Sequence, residues 1–80
     1  MEINEILSTL NTVFRDVLDN DTLSITVDTT AGDVEEWDSL NHIQLVVAAE
    51  KKFKIRFTTA EINSWKKVGD MCLAIQKKQS

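Results

Sequence analysis

The stretch Asp38-Ser39-Leu40-Asn41-His42-Ile43 combines residue types and spacing that suggest covalent chemistry. An aspartate just before an apolar run is a good helix N-cap, because its carboxylate accepts a first-turn backbone N–H. Ser39 then stands at the first helical position, after a long connection, where its hydroxyl is exposed. Unpaired N–H groups and the positive end of the helix dipole at such a position favour a phosphate ester. Taken alone, Asp-Ser before an apolar run is most often a plain cap. A catalytic pair between Ser39 and His42 is the rival chemistry, but a nucleophilic serine needs an oriented base and an oxyanion hole. These commonly sit in a strained turn such as Gly-x-Ser-x-Gly, and that pattern is absent. His42 is therefore expected to be a solvated surface residue.

Other reactive groups offer less. Asp28, Asp33, Glu35 and Glu36 do not have the spacing of a calcium loop, and no metal site is expected. Cys72 is the single cysteine, so it forms no internal disulfide. It falls among Val68, Met71 and Ile75 on an apolar face, which predicts a buried, inert thiol. Trp37 and Trp65 are expected in the core or at its edge.

Four helices are predicted to position these groups. Ile3, Ile6, Leu7, Leu10, Val13, Phe14, Val17 and Leu18 recur at three- and four-residue steps and line one face of a first helix. Asp19-Asn20-Asp21 ends it, because these side chains compete for helical backbone bonds. Residues 20–37 form a long connection that Leu23, Ile25, Val27, Val34 and Trp37 can pin to the core. A lone strand at Leu23–Val27 would have nothing to pair with, so this segment reads as an extended loop. The second helix begins at Ser39, ends at Lys52 or Phe53, and carries Leu40, Ile43, Val46 and Val47 as its apolar stripe, widened by Leu45. Thr58 and Glu61 form a capping box for a short third helix with Ile62 and Trp65 as contacts. Val68, Met71, Cys72 and Ile75 define the last helix, whose basic end, Lys77-Lys78-Gln79-Ser80, suits the dipole. Lys67, where a capping Ser or Thr is wanted, predicts a lost cap worth ~1 kcal/mol. Ile6, Leu10, Phe14, Ile43, Val46, Ile62 and Ile75 are the expected core.

Composition agrees with a small helical domain over residues 1–80. Proline is absent, glycine occurs only at Gly32 and Gly69, and 42% of the 80 residues are apolar, enough for one modest core. No apolar run approaches the ~20 residues of a membrane span. The acidic start, Met1-Glu2-Ile3-Asn4-Glu5, is unlike a secretory signal, so the cytoplasm is the expected location. Nine acidic and no basic residues lie between Asp16 and Glu50, whereas eight basic and two acidic residues follow. The acidic half repels nucleic acid and suits basic protein surfaces.

Asp-Ser-Leu at the start of the second helix resembles the hallmark of the acyl carrier protein family. The likeness extends to the helical first segment, the long acidic loop, Phe53-Lys54-Ile55, Thr58-Thr59-Ala60-Glu61-Ile62 and Val68-Gly69-Asp70-Met71, in matching order and spacing. The resemblance implies an all-α four-helix bundle with a short third helix and a long loop between helices one and two. It implies a carrier rather than an enzyme. Ser39 would receive 4′-phosphopantetheine from coenzyme A through a dedicated, magnesium-dependent transferase and hold acyl groups as thioesters. Asp38 and Leu40 match the residues flanking that serine. Glu35, Glu36, Gln44, Val47 and Glu50 complete the implied surface for the phosphopantetheinyl transferase and for acyl-loading and acyl-transferring enzymes. A monomer, with neither nucleic acid nor membrane as partner, is expected. Lys51, Lys52 and Lys54, with uncharged Asn41, His42 and Gln44, depart from the wholly acidic second helix of carriers in fatty acid biosynthesis. They point to a specialised lipid, polyketide or polysaccharide-modification pathway. An aminoacyl or peptidyl carrier, and an unmodified helical interaction module, are the alternatives.

Overall fold

The protein is described by a computed structural model over residues 2–79. Its helices are α1 (Ile3–Leu18), α2 (Ser39–Phe53), α3 (Thr59–Ser64) and α4 (Val68–Gln79), and a 3-10 turn at Ala31–Asp33 interrupts the first connection. This is the expected all-α bundle, and no strand forms among the described residues. Met1 and the Ser80 end of the basic tail lie outside the described residues.

The predicted stripe of α1 is its buried face: Ile6, Leu10, Val13, Phe14 and Leu18 turn inward. The helix stops where expected, with Asp19 in the left-handed region at φ 51° and its N–H donating to Arg15 O, a conformation that a short polar side chain tolerates. α1 packs against α2 and α4, and α3 packs against α4. Leu45, Ala49 and Phe53 of α2 meet Val68, Met71, Cys72 and Ile75 of α4 in one core with the α1 stripe.

The long connection is held by polar side chains of α1. Asn11 Nδ2 donates to Ile25 O at 3.2 Å while Ile25 N–H donates to Asn11 Oδ1 at 2.8 Å. Arg15 Nε donates to Leu23 O at 2.6 Å. These side chains satisfy backbone groups that a lone extended segment cannot pair with itself. Ile25 and Val34 are buried beneath it.

The connection also closes the start of α4. Val68 N–H donates to Thr29 O and Gly69 N–H to Val27 O, both at 2.8 Å, and Asp70 Oδ2 accepts from Lys66 N–H and Lys67 N–H. The cap missing at Lys67 is therefore offset by loop carbonyls and by a carboxylate reaching back from the first turn. The approach demands glycine: a Cβ on Gly69 would lie 2.8 Å from Val27 O and 3.3 Å from Val27 Cβ. Gly69→Ala should cost ~1–3 kcal/mol, as overpacking does, read as a lower urea midpoint with an unchanged slope. An unaffected midpoint would mean that the loop does not rest on α4.

Two expected core residues need correction. Ile43 is 62% exposed, because α2 turns Leu45, Val46, Ala49 and Phe53 inward and Ile43 falls on the opposite side. Ile62 is only half-buried, since six-residue α3 is too short to be enclosed. Ile6, Leu10, Phe14, Val46 and Ile75 are buried as expected.

Candidate functional site

The start of α2 is capped and leaves Ser39 exposed. Asp38 is the N-cap, its Oδ1 accepting from Asn41 N–H at 2.8 Å. Asn41 Nδ2 donates back to Glu36 O at 2.7 Å, and Asn20 Nδ2 donates to Glu36 Oε2 at 2.9 Å. The loop entering the helix is thereby tied at both ends. Ser39 itself is exposed, and its hydroxyl has no partner among the described residues. A fixed backbone thus carries a free primary hydroxyl at the positive end of a helix dipole. That chemistry suits a phosphodiester link.

Beyond Ser39, α2 presents Leu40, Ile43 and Val47 to solvent at 66%, 62% and 43% exposure. Spaced three and four residues apart, they form one apolar face. Gln44 and Glu35 are exposed near this face in sequence, whereas Glu36 and Glu50 are half-buried. Glu50 Oε2 accepts from Phe57 N–H at 2.8 Å, so its carboxylate holds the α2–α3 link. The sequence-predicted site residues are thus brought onto one helix and its leading loop, with two of the acidic groups engaged internally. Ile43, assigned above to the core, joins the exposed face. Lys51, Lys52, Lys54 and Arg56 are exposed past its far end.

His42 is not the solvated residue expected. It is half-buried, its Nδ1 accepting from Trp37 Nε1 at 3.0 Å. Its ring stacks on Trp37 at 5.9 Å and meets Trp65 edge-on at 6.3 Å. Phe14 abuts Trp37 and Phe57 abuts Trp65, continuing the row of rings. Burial pushes the His42 imidazole below its ordinary value. The neutral ring is therefore favoured by folding, and as pH falls below the unfolded value near 6.5 the unfolded chain takes up the proton first. Stability should fall through that window down to the folded value and then level off. His42→Phe should remove this component, seen by comparing urea midpoints at pH 7.5 and 5.5. An equal pH dependence in both proteins would show that His42 is not its source.

Cys72 is buried, as expected, and burial raises its thiol to about 11. No cluster of three or more metal-ligating side chains occurs among the described residues. No helix there is long and apolar enough to cross a membrane.

The chain is similar to known proteins in sequence and in fold. The family model described as a phosphopantetheine attachment site matches residues 8–75. An acyl carrier protein from Aster yellows witches'-broom phytoplasma is 38% identical over 60 residues, covering 75% of this chain and 79% of that protein. The solution structure of a holo acyl carrier protein from Geobacter metallireducens superposes with a TM-score of 0.86 at 40% identity, covering 91% of this chain and 84% of that one. A putative acyl carrier protein from Mycobacterium tuberculosis does so with 0.80 at 25% identity, covering 90% and 96%.

Proposed function

Given that this chain belongs to the phosphopantetheine attachment-site family and is an acyl carrier protein, we propose that Ser39 bears its 4′-phosphopantetheine. The observation that carries this is the free, exposed Ser39 hydroxyl at the first position of a capped helix, inside the matched residues 8–75. When bound, the group supplies a terminal thiol on which acyl groups are held as thioesters. The protein contributes presentation and recognition rather than catalysis. Asp38 caps the helix start and leaves the Ser39 side chain exposed, where the positive end of the helix dipole would favour a phosphate.

Partner enzymes read the Leu40, Ile43 and Val47 face together with the acidic loop at Glu35. Docking of this kind is transient, suiting a small apolar patch steered by charge. Because the far end of the face is basic, at Lys51, Lys54 and Arg56, the pathway is a specialised lipid, polyketide or polysaccharide-modification pathway in the cytoplasm. The carrier works there as a single-domain monomer.

Intact mass measured after incubation with coenzyme A, Mg²⁺ and a phosphopantetheinyl transferase tests the assignment: a gain of one phosphopantetheine is expected. No gain would leave an unmodified interaction module. In the same assay, Glu35→Lys should slow loading more than Glu2→Lys. An exposed charge contact is worth up to ~1 kcal/mol, so the effect is up to about fivefold. Added salt should narrow the difference, since such attraction is screened within ~8 Å at physiological ionic strength. Equal rates for both variants would remove charge from the recognition.

A further inference from the structure

One turn beyond Ser39, the rings of Trp37, His42 and Trp65 enclose a cleft of about 70 Å³, completed by buried Met71 and by Lys66 and Lys67. Three helical residues advance only ~4.5 Å along the axis, so this cleft lies beside the attachment position. It is small: a cavity of ~150 Å³ is known to admit a six-carbon ring, and this one has about half that space. It is also hard to enlarge. Opening it displaces Trp37 and Trp65, each of which leans on a further ring, Phe14 at 5.0 Å and Phe57 at 4.8 Å, and breaks the bond from Trp37 Nε1 to His42 Nδ1.

The cleft is not purely apolar. With Nδ1 accepting from Trp37, the neutral imidazole carries its proton on Nε2, and that N–H has no acceptor among the described residues. Lys66 forms no ion pair there either, whereas Lys67 Nζ faces Asp28 at 3.7 Å. A cleft lined by His42, whose Nε2–H is unpaired, and by the exposed Lys66, with too little room for a long hydrocarbon chain, suits a ligand of a few carbons ending in an oxygen that accepts hydrogen bonds.

We propose that the cargo of this carrier is a short, oxygen-tipped acyl group, such as a dicarboxylic half-thioester, whose tip is received by His42 Nε2–H between Trp37 and Trp65. The proposal rests on the Ser39 carrier reading and adds a cargo class to it. Carboxylate and hydroxyl tips share this chemistry, with the carboxylate favoured by Lys66. His42 acts here as a binding residue for cargo and takes no part in making or breaking the thioester.

The test is to load the protein from succinyl-, butyryl- and octanoyl-coenzyme A, confirm each product by intact mass, and record at fixed pH the NMR shifts of the His42 ring and the Trp37 and Trp65 indole N–H groups. Succinyl should shift His42 Nε2 and the Trp65 indole. Butyryl, equal in carbon count but lacking the tip, should leave Nε2 unmoved, and octanoyl should leave all three rings unmoved. His42→Phe should abolish the succinyl shift at Trp65, and Trp65→Ala should let octanoyl produce shifts at Trp37. Octanoyl moving the wild-type rings as much as succinyl would overturn the size limit. Rings unmoved by every cargo, with the mass gain present, would overturn the cleft as a cargo site while leaving the carrier reading intact. A chain that gains no mass overturns the carrier reading and this inference with it.

Discussion

Ser39→Ala should gain no phosphopantetheine under conditions that load the wild-type protein fully, while its urea midpoint stays within ~0.5 kcal/mol of the parent. The two halves of this expectation have separate causes. Loading fails because the Ser39 oxygen is the atom the phosphodiester needs, and the neighbouring side chains supply no substitute: Asp38 is a carboxylate, Leu40 has no hydroxyl, and Asn41 is an amide already bonded to Glu36 O. Folding persists because the removed oxygen bonds to nothing in the described residues and the cap belongs to Asp38. Alanine is also the best helix former at the position it enters, and exposed substitutions of this kind change stability by no more than ~0.5 kcal/mol. Loss of loading together with loss of folding would be a structural defect and would not locate the attachment. A variant that folds and still gains the full mass would move the site to another residue. Asp38→Ala separates cap from attachment: it should cost ~1 kcal/mol and slow loading without abolishing it.

Local chemistry explains why much of this is readable in sequence. The cap at Asp38 and the box between Thr58 and Glu61 each need only residues three apart, and both form. The α1 stripe is legible because its opposite face, with Glu5, Ser8, Thr12 and Asp16, is polar enough to leave no choice of side. α2 is different. Leu40, Ile43 and Val47 recur at helical spacing, and so do Leu45, Ala49 and Phe53. A helix with two apolar faces does not reveal by period which one is inside, and so Ile43 is placed wrongly by period alone. The structure leaves the face beside the serine exposed, which is the face proposed above for docking.

The remaining differences concern contacts between distant residues. Asn11 lies between Leu7 and Phe14 near the apolar stripe of α1, a polar residue whose position hints at a buried partner without naming Ile25 as that partner. Lys67 reads as a lost cap because the carbonyls that replace it come from Val27 and Thr29, far earlier in the chain. His42 reads as solvated because it is a polar residue in the first turns of a helix that starts at an exposed serine. Its partner Trp37 lies before the helix, and Trp65 reaches it from beyond α3. A helical wheel drawn for α2 alone contains neither.

Phe14→Ala should be the most damaging core substitution. The ring is fully buried on α1, within the cluster that joins α1, α2 and α4, and its edge meets Trp37 at 5.0 Å. Removing it forfeits the transfer energy of the ring, leaves a cavity that a small bundle closes poorly, and takes away an aromatic contact. Phenylalanine-to-alanine changes in cores cost ~3–5 kcal/mol. A chain of this length has a total stability of only about 4–12 kcal/mol, so the variant should lose a large share of it. The damage reaches the site. Trp37 carries the hydrogen bond to His42 and closes the cleft beside Ser39, so tryptophan emission should shift to the red even in the fraction that remains folded. Phe14→Leu keeps most of the volume and should lose much less, leaving a folded protein in which loosening of Trp37 can be read separately from global unfolding. Urea melts of both variants give the comparison, with the midpoint reporting stability and the slope reporting whether unfolding stays two-state. If Phe14→Ala lost under ~1 kcal/mol against the usual core cost, the α1 face would not carry the fold, and the row of rings running from Phe14 to the cleft would have to be supported from α4 instead.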